Sequence, residues 1–175
     1  CDEGHHVVNF SKTRVGIGLG DGEVSDALLN VGGIPYGPGA TPRFFVKSNV
    51  TTLTTAAGTV RFNYAPIDSH NGFDPSTYTY TVQVAGDYKL HGDVLMRQTN
   101  GGALTAGCRV EIRINGSQVF SSYGAGRDRT EITVAVQGIY YCNVGDTINM
   151  YHTNISYGDI YISNTYQGFS GFLLC

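Results

Sequence analysis

The stretch FNYAPIDSHNGFDPSTYTYTVQVAGDY, Phe62 to Tyr88, decides the fold. Its marker residues Phe62, Asp68, Phe73, Tyr80, Gly86 and Tyr88 fall in the spacing F-x5-D-x4-F-x6-Y-x5-G-x-Y. Tyr80, Val82 and Val84 alternate with polar neighbours, the period-two pattern that puts one face of a strand in a core. Pro75-Ser76 and Ala85-Gly86 punctuate the run as turns.

The same alternation continues outward from this stretch. Val110, Ile112 and Ile114 stand against Arg109, Glu111 and Arg113, whose side chains are expected on the solvent face. Ile132, Val134 and Val136 repeat the pattern, followed by Ile148 and Met150. Asn115-Gly116 separates two such runs, and both residues tolerate the positive φ of a type I′ hairpin turn. Val144-Gly145-Asp146 is a further turn. Turns recurring every 8–12 residues predict two packed antiparallel sheets. Composition agrees: 24 glycines, 12 tyrosines, no tryptophan and 14% charged residues among 175 describe many short strands rather than amphipathic helices. A chain of this length buries roughly two-thirds of its unfolded surface and holds a core without metals.

The central spacing resembles the signature of the complement C1q globular domain, within the tumour-necrosis-factor-like jelly-roll superfamily. The closing Phe169-Ser170-Gly171-Phe172-Leu173-Leu174 is similar to that family's F-x-G-F-L-L end, and Pro42-Arg43-Phe44-Phe45-Val46 is similar to its first strand. The resemblance implies an all-β, ten-stranded jelly-roll sandwich over residues 42–175, a homotrimer, and a secreted or surface-displayed protein that works without catalysis. Three positions depart from the family pattern. Tyr80 stands in place of Phe, and Leu90 and Gly92 stand where aromatic rings are expected, so the strand beginning near Asp87 is expected to pack differently.

Residues 1–41 read as a glycine-rich extension. Gly16, Gly18, Gly20 and Gly22 fall on alternate positions, which is neither the every-third glycine of collagen nor a coiled-coil heptad. The collagen stalk usual in the resembling family is missing. Two readings stay open: a segment packed on the side of the domain or partly mobile, or a strand-forming arm that adds to a neighbouring subunit's sheet edge.

A net charge of −3 and a pI near 5.9, with no Lys/Arg cluster, exclude a nucleic-acid footprint. No apolar run reaches the length of a membrane span, and no charged segment leads into an apolar stretch at the start, so a mature soluble product is expected. Cys1, Cys108, Cys142 and Cys175 lack C-x-x-C spacing, which makes them disulfide candidates of an oxidising compartment with three pairings open. On the resembling topology Cys142 and Cys175 lie toward the end where the termini meet and Cys108 toward the other, which leaves Cys108 open to being free, paired with another chain, or joined by a shift. A cysteine at position 1 also resembles the first mature residue of a bacterial lipoprotein. Glycosylation sequons stand at Asn9, Asn49, Asn115 and Asn154, of which Asn115, at a hairpin tip, is the best acceptor.

Catalytic chemistry finds little footing. Gly168-Phe169-Ser170-Gly171 lacks the fifth-position glycine of a nucleophile elbow and belongs to a strand. Gly16-Ile17-Gly18-Leu19-Gly20 lacks dinucleotide-loop spacing. His5-His6 beside Asp2 and Glu3 make an incomplete metal site, and His70, His91 and His152 are isolated in sequence. No enzyme and no cofactor are therefore expected, and function is sought in surfaces. The resemblance gathers three loops at the end opposite the termini: Gln98 to Gly107, Gly124 to Thr130, and Ile155 to Gln167. Arg127, Asp128 and Arg129 offer guanidinium forks, while Tyr157, Asp159, Tyr161 and Tyr166 offer rings and acceptors suited to a glycan or a protein epitope. Asp128 and Asp159 are candidates for calcium, as hard oxygen ligands near a trimer axis. Four roles follow: a recognition module, a structural subunit of a matrix, shell or filament assembled through the N-terminal arm, the receptor-binding tip of a viral or phage fibre, and a cytokine-like ligand.

Overall fold

The computed structural model describes residues 9–10, 15–16, 41–49, 52–54, 56–97, 107–125, 131–153, 159–162 and 167–174. The chain divides into two units, Cys1–Thr41 and Pro42–Cys175. In the first, Asn9–Phe10 (β1) pairs antiparallel with Val15–Gly16 (β2).

The second unit is an all-β sandwich of two antiparallel sheets. One carries Ser117–Ala125 (β11), Gly107–Ile114 (β10), Thr147–Thr153 (β13), Thr79–Thr81 (β8) and Phe73–Asp74 (β7) in that order, with Gly58–Thr59 (β5) against β13. The larger sheet runs Thr52–Thr54 (β4), Asp159–Ile162 (β14), Gly86–Arg97 (β9), Phe169–Leu173 (β15), Arg43–Lys47 (β3) and Tyr64–Asp68 (β6). Glu131–Cys142 (β12) lies along the other edge of β9. The jelly-roll expectation holds.

Alternation builds the core. Tyr88, Leu90, Val94 and Met96 of β9 face Val110, Ile112, Ile148 and Met150 across the sandwich, all buried. Phe44 stacks on Tyr80 with ring centroids 4.2 Å apart and meets Phe169 edge-on at 5.2 Å. Rings from the first, middle and last segments of the second unit thus form one cluster, and burying each contributes about 1.5–3 kcal/mol.

The marker residues have separate physical tasks. Asp68 accepts hydrogen bonds from the backbone N–H of Gly72 (3.0 Å) and Phe73 (2.9 Å), closing the turn between β6 and β7. The Tyr88 hydroxyl donates to the carbonyl of Val84 at 2.8 Å and ties down the bend before β9. Gly86 has φ 149°, and a Cβ there would also strike Leu173, so only glycine suits the start of β9. At Gly92 the missing ring is replaced by Met150 from the facing sheet and by Phe169 from the adjacent strand β15. Met150 and Phe169 fill the space so closely that a single methyl would collide with the Met150 sulfur, while Leu90 is fully buried against Gly171.

Asn115 and Gly116 take φ 51° and 78°, as the type I′ turn requires. The Asn115 side chain is also committed: its Nδ2 donates to Asp146 at 2.8 Å and its Oδ1 accepts from the Thr147 N–H at 2.9 Å. Hydrogen bonds from Asn115 and from the Asn143 backbone hold the Asp146 carboxyl below its ordinary pKa.

Several expectations are corrected. Cys142 is not disulfide-bonded, and neither is Cys108, for which the sequence leaves the free state open: both are buried free thiols. Desolvation pushes Cys108 up to about 12, and Cys142 up to about 11 with help from Asp146 and Asp87, so neither supplies thiolate. Cys1 and Cys175 lie outside the described residues. Glu111 is not on a solvated face but buried, paired to Arg113 at 2.7 Å, whose guanidinium lies 3.5 Å from the Tyr151 ring centre. Val84 is exposed rather than in the core, because β8 ends at Thr81 and the chain bends before reaching it. The segment 155–167, read as a loop, contains β14. It pairs with β9 at Leu95 to Arg97, beyond the stretch of β9 that β15 covers.

Candidate functional site

A strand that sends one row of side chains inward sends the next row outward, so the register of the large sheet specifies its outer face residue by residue. Ile67 stands opposite Phe45, Phe45 opposite Ser170, Ser170 opposite His91, and His91 opposite Gln137. In the adjacent row Arg43 faces Phe172, Phe172 faces Lys89 and Lys89 faces Ile139. A third row brings Leu174, bonded through its N–H to the Asp87 carbonyl at 2.7 Å, toward Asp87 and Tyr141. Tyr64 sits beyond, with the Lys47 ammonium 5.9 Å from its ring centre.

These rows leave large apolar side chains in water: Tyr64, Ile67, Ile139, Tyr141, Phe172 and Leu174 are all exposed, Phe172 by 47%. Charged residues are interleaved rather than excluded. Burial raises the Asp93 carboxyl above its ordinary pKa, with the His91 charge working in the opposite direction. Arg97 and Glu131 form an exposed pair at 3.1 Å across β9 and β12, worth at most about 1 kcal/mol. An apolar band of this kind on one side of a sheet marks an interaction surface.

The other candidate surface is the end of the sandwich where the three loops begin. Arg97 is in register with both Glu131 and Asp159, Gly107 with Ala125, and Arg109 with Thr153. The strand ends that bound the loops therefore gather at one end, while Pro42, Gly86, Cys142 and Leu173 gather at the other.

Arg127, Asp128, Arg129, Tyr157 and Tyr166 lie outside the described residues, as do the sequon at Asn154 and the Asp2, Glu3, His5 and His6 group. For Asp159 and Tyr161 only the backbone, within β14, is described. The calcium expectation at Asp128 and Asp159 rests on side chains outside that description. Asn9 lies in β1, and the Asn49 N–H donates to Asn63 Oδ1 at 3.0 Å. Ser170 lies in β15, its hydroxyl 3.4 Å from the His91 carbonyl oxygen. His70 Nδ1 lies 2.8 Å from the Ser69 hydroxyl, and His152 is buried. Sequence alone did not place the apolar band, because Ile139, Tyr141, Phe172 and Ile67 are far apart in the chain and only the register unites them.

Two antiparallel sheets with this strand order define a jelly-roll fold of the C1q and tumour-necrosis-factor kind. The chain resembles the globular domain of zebrafish complement 1qA protein at 19% identity and TM-score 0.55, covering 77% of this chain and 98% of that one. Murine APRIL is similar at 14% identity and TM-score 0.58, over 77% and 99% of the two chains. Eiger TNF from S. frugiperda is similar at 7% identity and TM-score 0.61, over 77% and 93%. No protein-family model matches the chain. No curated protein matches it in sequence.

Proposed function

We propose that this chain is an extracellular, non-enzymatic recognition module. It assembles as a homotrimer through the outer face of the large sheet and binds carbohydrate, a microbial surface or a protein through the loops at 98–107, 124–130 and 155–167. The apolar band from Ile67 to Tyr141 carries the reading, since it is the kind of surface that a partner covers. The assignment of that partner as two further copies follows the resemblance of the sequence and fold. Among the described residues no helix is long and apolar enough to cross a membrane. Arg127, Asp128 and Arg129 with Tyr157, Asp159 and Tyr161 are the proposed ligand contacts. The module needs no cofactor for this work, and calcium held by Asp128 and Asp159 would reveal itself as assembly or binding sensitive to a chelator.

Sedimentation of wild type and Phe172→Ser tests the assembly. Burying the exposed half of a Phe172 ring removes about 100 Å² of apolar area, or about 2 kcal/mol at each interface. The substitution is expected to turn micromolar trimers into monomers, whereas Tyr123→Ser, on the other sheet, leaves them intact. A monomeric wild type at micromolar concentration refutes the proposal.

A structural subunit is the second reading, favoured by β12. This twelve-residue strand pairs only with β9 among the described residues, leaving an edge that a strand-forming arm fits. Electron microscopy beside non-reducing electrophoresis separates the two: polymers support the subunit, discrete trimers the recognition module.

A further inference from the structure

A cavity of about 290 Å³ opens where β5, the turn at residues 75–78 and the end of β13 meet, apart from the apolar band. Its size suits one sugar ring rather than an extended chain. His152, opposite Gly58 in the β13–β5 pairing, lines it. The ring is 1% exposed and its Nδ1 is buried with no hydrogen-bond partner. A polar atom left in that state carries an unspent hydrogen bond.

The other walls have complementary chemistry. Arg61 is exposed at the cavity and forms no ion pair among the described residues. Ser76 and Thr77 donate their hydroxyl protons to Asp74, at 2.7 Å and 3.0 Å, so toward the cavity they present acceptor lone pairs. The Asp74 charge is engaged by those donors and by the Ser76 N–H at 2.8 Å, which keep its carboxyl ionised below the ordinary pKa. Tyr78 completes the wall with φ 59°. Among the described residues the other non-glycine positions with positive φ are Asn71 and Asn115, of a type that tolerates it, whereas a tyrosine held there is strained. Backbone strain that presents a ring to a cavity is placed as ligand clamps are.

We propose that this cavity binds the carboxylate-bearing ring of a hexuronic acid. Arg61 takes the carboxylate, Ser76 and Thr77 accept from ring hydroxyls, Tyr78 covers a ring face, and His152 lies beneath the floor. Burial and the Arg61 charge hold His152 down to about 4, so the imidazole beneath the cavity stays neutral and adds no charge to the site. The site stands independently of the trimer and of the loops proposed above.

The test follows the amide resonance of Gly58 and the ring resonances of His152 while the protein is titrated with glucuronate, glucose, acetate and a disaccharide ending in glucuronate. Glucuronate is expected to move both sets saturably, with glucose about tenfold weaker for want of the charge-assisted pair. Arg61→Gln, at an exposed position, is expected to weaken glucuronate about tenfold without moving the thermal midpoint. Tyr78→Asn relieves the backbone and is expected to weaken binding while keeping or raising that midpoint. Disaccharide binding as tight as glucuronate marks the end of a glycan as the ligand, and tighter glucuronate binding marks the free sugar. The absence of saturable shifts with glucuronate overturns the proposal. So do equal shifts with acetate, which define a bare anion site, and wild-type affinity in Arg61→Gln.

Discussion

Replacing Tyr80 by Phe is expected to stabilise the protein. The Tyr80 ring is wedged between Phe44 and the β6–β7 turn, almost wholly buried, and its hydroxyl has no hydrogen-bond partner. Folding strips water from that O–H and returns nothing. Such a group costs about 1–3 kcal/mol, whereas the ring itself, which Phe keeps, supplies the packing. Phe therefore gains roughly 1–2 kcal/mol, which for a domain of this size raises the thermal midpoint by about 2–8 °C. In urea the midpoint rises by roughly 0.5–1 M with an unchanged slope. A second readout comes from alkali. Burial raises the Tyr80 pKa well above 10.0, with Tyr88 and Asp68 adding to it. The unfolded chain thus releases that proton at lower pH than the folded one, and stability present below pH 10 is lost as pH rises beyond it. Tyr80→Phe removes this part of the alkaline decline. Equal or lower stability of Tyr80→Phe at pH 7 would show that the hydroxyl has a partner, such as a buried water, and would refute the reasoning.

Asp68→Ala leaves the Gly72 and Phe73 N–H groups without their acceptor and is expected to cost about 2–3 kcal/mol, read as a lower urea midpoint. Burial lowers the His152 pKa from 6.5 to about 4, so the unfolded chain takes up a proton that the folded chain refuses. Stability is full above pH 6.5 and falls toward pH 4, by up to about 1.4 kcal/mol per pH unit, and His152→Gln is expected to flatten that slope in urea melts. Cys108 and Cys142 are expected to resist a thiol reagent in the native protein and to react fully in guanidinium. Either one found in a disulfide by peptide mass mapping contradicts the fold as described.

Periodicity and turn chemistry made the fold legible. Alternating apolar residues point to strands, Asn115-Gly116 suits a tight hairpin, and the family resemblance carried by the Phe62–Tyr88 spacing and the Phe169–Leu174 end implied the jelly roll. These signals are local, and local pattern governs which side of a strand meets the core. Other features depend on residues that meet across sequence distances no local pattern spans. Met150 replacing a ring at Gly92, Glu111 drawn under Arg113, β14 filling the part of β9 that β15 leaves open, and two thiols sealed apart were all decided by packing. So were the apolar band and the cavity: Ile67, Phe172 and Ile139 share a face, and Arg61, Tyr78 and His152 share a wall, only because register and sheet closure bring them there.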